Sequence, residues 1–337
     1  MQDAIRALVE QGSLSPALAE SALETIMSGE ATPAQVGAFL AALRIRGETP
    51  EVVAACLGVM ERHAEPVPAT GVIDVCGTGG DGMDTFNVST AAGIVAAAAG
   101  ARVAKHGNRA ASSKCGSADL LEALGANLQL SGEQAARVVD QCGFVFLFAQ
   151  RFHPAMRHVG GPRREMGVRT VFNLLGPLSN PARPRRQLVG VGAAALGPLV
   201  AQALALRGME HAIVVHSDDG LDEISPAGTT HAWIVGEGAV AERELRPSDF
   251  DLPEHALERV AGGDAEHNGG LLQAVLDGAE GPVTDFVLMN ASAACFVAGL
   301  ATDFAEGTLR AREAIASGRA REVFDQYIIL SQAAASE

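Results

Sequence analysis

From Val67 onward, short β-rich runs alternate with helical ones, and no other feature of the chain narrows its fold as far. VIDVC, TAAGIVAAAAG, RVAKHG, SADLLEALG and FVFLF follow in order, and the alternation returns in QLVGVG, LGPLVAQALALRG and HAIVVHS. Helices between consecutive β-runs are the connections that parallel strands need. The pattern therefore predicts a large α/β domain with a mainly parallel central sheet, over residues 67–151 and 187–337. The segment between them, 152–186, contains HPAM and GPRREMGVRTVFNLLGPLSNP, whose prolines and glycines suit short helices and loops rather than a strand.

Residues 1–66 follow another rule. Ser15-Pro16, Thr32-Pro33 and Thr49-Pro50 each place a capping hydroxyl before a proline at the first helical position, and Gln35 completes a capping box with Thr32. Val36, Phe39, Leu40 and Leu43 recur at the i, i+3, i+4, i+7 spacing of one apolar stripe. These residues predict a small helical domain, joined by part of 152–186. So short a helical piece buries little surface alone, so its stripes meet either the rest of the chain or a second copy, and a dimer interface is the expected use.

The formal net charge of −15 leaves no general excess of cations with which to displace counterions from a nucleic-acid backbone. Cys56, Cys76, Cys115, Cys142 and Cys295 are odd in number and contain no C-x-x-C pair, which suits reduced thiols better than a disulfide framework or a zinc site. The start, MQDAIRALVEQ, is charged throughout, and no apolar run reaches membrane-spanning length. The expectation is a cytoplasmic protein with no nucleic-acid or membrane partner.

Three clusters carry chemistry. The first, DVCGTGGDGMDTFNVST at 74–90, contains a literal G-x-G-x-x-G in Gly77, Gly79 and Gly82. In a dinucleotide-binding fold the last glycine already lies in the helix and an acidic residue follows about 20 positions on. Here MDTFNVST separates Gly82 from the alanine-rich helix, and the next β-run ends in Lys105-His106. What remains is a glycine turn whose amides can approach an anion, with Asn87, Ser89 and Thr90 adding donors at a helix N-terminus; phosphate is the ligand this suits. The second, KHGNRAASSKCGSADLLEALG, places Lys105 and His106 at the same edge of the sheet, with Ser112, Ser113, Lys114 and Ser117 before another helix. Ser117 also reads as an ordinary N-cap, and Arg109 and Lys114 as solvated charges. The third, HSDDGLDEISPAG, sets Asp222 beside Glu223, and adjacent carboxylates repel unless a cation lies between them. Magnesium shared with substrate phosphates suits that pair, whereas Asp218-Asp219-Gly220 reads as a solvated turn.

GTGGDG followed by TFNVST, KHGN followed by SS-x-x-GSADLLEALG, HPAM, G-x-RTVFNLLGPLSNP and DEISP stand in the order and approximate spacing of the anthranilate phosphoribosyltransferase family. The chain resembles a member over nearly its whole length. The resemblance implies a nucleoside phosphorylase/phosphoribosyltransferase-like fold and a pentosyl transfer, from phosphoribosyl pyrophosphate to the amine of anthranilate. The products are N-(5-phosphoribosyl)anthranilate and pyrophosphate, a step of tryptophan biosynthesis, made with Mg2+ in a homodimer joined through the helical domains. It assigns phosphoribosyl pyrophosphate to Gly79, Gly80, Asp81, Thr85, Asn87, Ser89, Thr90, Lys105 and Ser117, and the metal to Ser89, Asp222 and Glu223. Anthranilate falls to Gly79, His106, Asn108 and Arg163, with Pro177 as apolar wall. A guanidinium fork pairs well with an aromatic acid's carboxylate. No side chain is implied as base or nucleophile.

One departure touches Arg163. Many relatives read PVRRELG where this chain has GPRREMG over 161–167, so the proline is displaced by one position. Proline fixes its own φ and disfavours helix in the residue before it, so the shift can rotate the segment and hand the carboxylate to Arg164. Three rivals remain: a pyrimidine nucleoside phosphorylase-like enzyme, a non-enzymatic nucleic-acid-binding relative, and a nicotinamide-dependent oxidoreductase resting on the literal glycine motif alone.

Overall fold

The computed structural model describes residues 1–110 and 113–334. Helix α1 (Gln2–Arg6) runs into a π-type turn over Ala7–Gln11, a segment without a proline or hydroxyl cap to announce it. Helices α2 (Pro16–Met27), α3 (Pro33–Arg46) and α4 (Pro50–His63) begin where the caps place them. Ser15, Thr32 and Thr49 accept from the amides of Leu18, Gln35 and Val52 at 3.3, 3.3 and 3.4 Å, and Gln35 returns the bond to Thr32 N–H at 3.0 Å.

The remainder runs β1 (Ile73–Gly77), α5 (Val88–Ala98), β2 (Val103–Gly107), α6 (Ser117–Ala123), α7 (Gly132–Cys142), β3 (Phe144–Phe148), α8 (Ala149–Phe152), α9 (Arg157–Met166), α10 (Phe172–Leu178), β4 (Arg186–Gly190), α11 (Leu196–Leu206), β5 (His211–Ser217), β6 (Thr230–Gly236) and β7 (Ala239–Leu245). It closes with α12 (Ala265–Leu276), α13 (Pro282–Ala298), α14 (Phe304–Ala316) and α15 (Arg319–Ala334). The seven strands form one sheet in the order β3-β2-β1-β4-β5-β6-β7. Pairing is parallel from β3 to β5 and antiparallel at β6 and β7. As the proline content of 152–186 predicts, that segment holds helices, with no strand before β4 opens at Arg186.

Strand side chains alternate between two cores, as a period of two requires. Leu188, Ile213 and Val215 join α5 and α13 in one apolar cluster, whereas Val189, Ala212 and Val214 join α4 and α11 in the other. Every residue of α5 is buried, which is why it reads as alanine-rich rather than amphipathic. The second cluster also takes in Leu23, Phe39 and Leu57 of the helical segment, and Val159, Phe172 and Leu175 from the interruption.

This corrects one expectation. The stripe of Val36, Phe39, Leu40 and Leu43 is at most 1% exposed within the single chain, so its apolar surface is already spent and does not face a second copy. The large apolar side chains left outside on that segment are Val9 and Ile45, 59% and 81% exposed.

Candidate active site

In the order β3-β2-β1-β4-β5 the chain leaves β1 toward one side and β4 toward the other, so a crevice opens beyond their carboxyl ends, where ligands bind in open α/β sheets. Two glycines, Gly77 and Gly190, are register partners at those ends. A Cβ on Gly77 would stand 2.4 Å from Asp222 Oδ2, and one on Gly190 1.4 Å from the Asp222 carbonyl oxygen. This side-chain-free notch lets the 218–225 loop seat the Asp222 peptide directly on the sheet edge. Asp222 Oδ2 then accepts the Gly79 amide at 2.6 Å, joining the first and third sequence clusters.

The glycine loop is left-handed at Gly79 and Gly80, with φ of 63° and 75°, conformations that a side chain would strain. Asp81 accepts from Met83 N–H at 3.0 Å, and the backbone at Thr85 and Phe86 is pinned against Ala261 and Val260. Helix α5 begins at Val88, earlier than the sequence suggested. Ser89 and Thr90 therefore lie in its first turn, and only Met83 to Asn87 separate it from Gly82. The Thr90 hydroxyl is buried without a partner. Asn87 is the N-cap residue, but its side chain is committed: it donates to Cys115 O at 3.0 Å and accepts from Asn268 at 2.8 Å, tying α5 to α12.

Lys105, 1% exposed on β2, donates to Val75 O at 2.6 Å and to Ser89 Oγ at 3.1 Å. Its charge lies among acids. Burial pushes Asp74 up to about 6 against the opposing pull of Lys105. Asp222 and Glu223 are raised as well, by burial first and then by neighbouring carboxylates, Asp81 acting on Asp222 and Asp222 on Glu223. Acids held this way are short of positive charge. Carboxylate oxygens with the Ser89 hydroxyl beside them form a hard-oxygen donor set that fits Mg2+. No group of three His, Cys, Asp or Glu side chains among the described residues could cage a metal unaided, so the fit is to an ion that shares its shell with substrate phosphates.

Ser117 opens α6 and does not cap it; Asp119 takes the amides of Ala110 and Gly116 at 2.9 and 3.0 Å, leaving the Ser117 hydroxyl unused. Arg109 grips Glu122 and Asp119, and Lys114 pairs with Asp84 at 3.4 Å, so both belong to the loop's own scaffold. Ser112 lies outside the described residues. Asp218 pairs with His231, and Asp219 with Ser225 and Leu221 N–H, so that acidic run builds its turn.

Of the residues expected at anthranilate, His106 and Pro177 are linked through Asp74 and Gln187. His106 is 3% exposed; its amide donates to Asp74 at 3.0 Å, while its Nε2 is buried without a partner. Beside it, 5.1 Å between ring centroids, stands His153, with both ring nitrogens buried and unpaired. Burial holds His106 well below its ordinary range and His153 down at about 4, so both rings are neutral. Sequence reading quoted His153 within HPAM and gave it no role; a buried histidine leaves no mark on periodicity. Pro177 O accepts from Gln187 at 3.1 Å and from Cys76 at 3.4 Å, and Gln187 also reaches Asp74 at 3.3 Å. Asn108 is exposed and bonded to Gln150 at 3.4 Å. Helix α9 continues through Pro162, so the displaced proline does not turn the segment out of helix. Arg163 is half-buried with its guanidinium 5.5 Å from the Phe172 ring, its pKa lowered by burial, and no carboxylate pairs with it among the described residues. Arg164 is exposed, so Arg163 keeps the inward place.

Residues 69–321 match the family model described as glycosyl transferase family, a/b domain, and residues 2–64 its helical bundle domain. The chain is 49% identical over 335 residues to the anthranilate phosphoribosyltransferase of Chloroflexus aurantiacus, covering 98% of this chain and 99% of that one. It is 50% identical over 330 residues to that of Anaeromyxobacter dehalogenans, covering 97% and 98%. The solved enzyme of Thermus thermophilus superposes with a TM-score of 0.92 at 41% identity, covering 98% of this chain and 99% of that one. The Saccharomyces cerevisiae enzyme in complex with PRPP and Mg superposes with 0.90 at 32%, covering 98% of both. With the crevice, its acidic pair and its buried lysine on the expected elements, and with likeness end to end, the chain belongs to the anthranilate phosphoribosyltransferase family.

Proposed function

We propose that the crevice beyond β1, β2 and β4 transfers the phosphoribosyl group of phosphoribosyl pyrophosphate to the amine of anthranilate. The observation that carries the reading is the junction of Gly79, Asp222, Ser89 and Lys105 at one sheet edge, beside two neutral histidines with unpaired nitrogens. The loop amides of Gly79 and Gly80, the unused hydroxyls of Thr90 and Ser117, and Lys105 take the phosphates and ribose; Asp81 and Thr85 shape the loop that holds them. Asn87 acts through the backbone it ties down. His106, His153, Asn108, Arg163 and Pro177 form the anthranilate side, with Arg163 on the carboxylate.

The bond from the anomeric carbon to pyrophosphate breaks as the amine nitrogen bonds to that carbon from the opposite face, giving inversion, and the amine proton then passes to water. An aromatic amine is uncharged at neutral pH, so attack needs orientation more than a base. His106, held well below the usual histidine range, suits a hydrogen-bonding role rather than proton removal. Mg2+ held by Ser89, Asp222 and Glu223 supplies neutralisation of leaving-group charge when bound. Lys105 and the loop donors are fixed before reaction, so they cost little reorganisation as that charge develops.

The same reading places the reaction in tryptophan biosynthesis in the cytoplasm, supported by the absence of any helix long and apolar enough to cross a membrane among the described residues. It takes 1–66 with part of 152–186 as the small helical domain, supported by the cluster joining Val159 and Leu175 to Leu23 and Phe39. The dimer it implies would use the outer side of that unit, near Val9 and Ile45, and sedimentation velocity at micromolar concentration tests it; a monomer would refute it. Mixing the purified protein with anthranilate, phosphoribosyl pyrophosphate and magnesium should deplete anthranilate fluorescence. No depletion at any magnesium concentration would sink the transfer reading.

A further inference from the structure

Arg169, in the loop between α9 and α10, has no part in the roles assigned above. Its Nη1 donates to the Gly79 carbonyl at 3.2 Å. A Cβ on Gly80 would stand 1.6 Å from that nitrogen and 2.9 Å from Cζ, so the guanidinium fills the space that any side chain at position 80 would take. The arginine is exposed, and among the described residues no carboxylate pairs with it; its partner is a neutral carbonyl. The Gly79 residue is thus held from both sides by opposite charges, Asp222 on its N–H at 2.6 Å and Arg169 on its C=O at 3.2 Å.

The charge balance of the cleft gives that free cation a task. Asp74, Asp81, Asp222 and Glu223 outnumber Lys105 around the glycine loop and the sheet edge. A pyrophosphate leaving group adds further negative charge to the mouth of the same loop. A guanidinium exchanges a single bond to a carbonyl for paired, charge-assisted bonds to phosphate oxygens at a clear gain. We propose that Arg169 binds the pyrophosphate portion of the substrate, leaving the Gly79 carbonyl for the phosphate oxygens and screening the charge that develops as the bond to the anomeric carbon breaks. The inference rests on the phosphoribosyl-transfer reading. It makes α9 and the loop after it serve both substrates, Arg163 on the helix facing one and Arg169 in the loop the other.

Calorimetric titration of wild type, Arg169→Ala and Arg169→Lys with inorganic pyrophosphate and magnesium tests it, alongside kinetics with each substrate varied. Arg169→Ala should weaken pyrophosphate binding and raise the KM for phosphoribosyl pyrophosphate by roughly ten- to a hundredfold, the usual loss for a hydrogen-bonded charge. The KM for anthranilate should not change, and lysine should restore part of the loss as a point charge without the fork. Unchanged pyrophosphate affinity in Arg169→Ala would overturn the proposal. So would an equal rise in both KM values together with a lowered melting temperature, which marks a loop clamp and nothing more. If wild type binds pyrophosphate through Arg169 yet never consumes anthranilate, the transfer reading fails and the pyrophosphate site stands.

Discussion

Replacing Gly190 by alanine probes how the crevice is assembled, without touching any group that would contact substrate. Gly190 ends β4 and its φ lies outside the left-handed region, so the cost is steric alone. The new Cβ would fall 1.4 Å from the Asp222 carbonyl oxygen and 2.4 Å from its carbon, both backbone atoms with no rotamer to yield. Carbon contacts settle near 3.5 Å, so the Asp222 peptide must retreat by about 2 Å. That breaks the 2.6 Å bond from Gly79 N–H and moves both carboxylates off the sheet edge. Overpacking of this kind costs about 1–3 kcal/mol of stability, while a misplacement of about 1 Å in a positioned group costs about a hundredfold in rate. Turnover of Gly190→Ala should therefore fall by at least about a hundredfold with a modest drop in melting temperature, and its half-saturating magnesium should rise. Gly77→Ala should cost less stability, because its Cβ meets the tip of the Asp222 side chain, 2.4 Å from Oδ2, which can swing aside, but it too should raise the half-saturating magnesium, since that oxygen leaves the Gly79 amide. Gly270→Ala, exposed within α12 and open for 4 Å around, is the control and should be neutral or slightly stabilising. Magnesium titrations of anthranilate consumption and thermal melts read all three. Wild-type turnover and magnesium response in Gly190→Ala would show that the Asp222 loop needs no close seat, and the reasoning would fail.

Other perturbations test the charges. Replacing Asp222 and Glu223 by their amides should raise the magnesium requirement and lower turnover. Because both folded carboxyl pKa values are raised, ionisation costs stability above them, so the metal-free double variant should melt higher than wild type at pH 8. Arg163→Ala should raise the KM for anthranilate by roughly one to two decades and leave that for phosphoribosyl pyrophosphate nearly unchanged, whereas Arg164→Ala should do little. Equal small effects would remove this segment from the anthranilate site. His153 is buried neutral, its pKa lowered from 6.5 to about 4, so its contribution is intact above 6.5 and is lost as pH falls toward 4. Denaturant unfolding of wild type and His153→Phe should show the wild type losing up to about 3 kcal/mol relative to the variant between pH 7 and pH 4, and parallel curves would refute a neutral buried ring.

Local chemistry was legible in the sequence because it acts over a few residues. Ser15, Thr32 and Thr49 cap the helices their prolines announce, and the β-rich runs became β1 to β5 in parallel register. The order of motifs carried the family, and with it Lys105, Asp222 and Glu223. Helix α1 escaped notice for lack of a cap, and α5 began before Ser89 because Asn87 is held by Cys115 and Asn268, far away in the chain. Other matters had no local signature at all. The stripe of α3 could meet the chain or a copy of it, and only packing against the second core decided for the chain. Either arginine of Arg163-Arg164 could face inward, and the phase of α9 against Phe172 chose the first. Gly77 and Gly190 are 113 residues apart from one point of view and register partners from another: each looks like an ordinary strand-end glycine until β1 and β4 pair and the Asp222 peptide settles into the notch between them. A sequence records which contacts each residue permits, whereas the register of a sheet and the phase of a helix are set by all the packing at once, and those two decided where the acidic pair, the histidines and the arginines each lie.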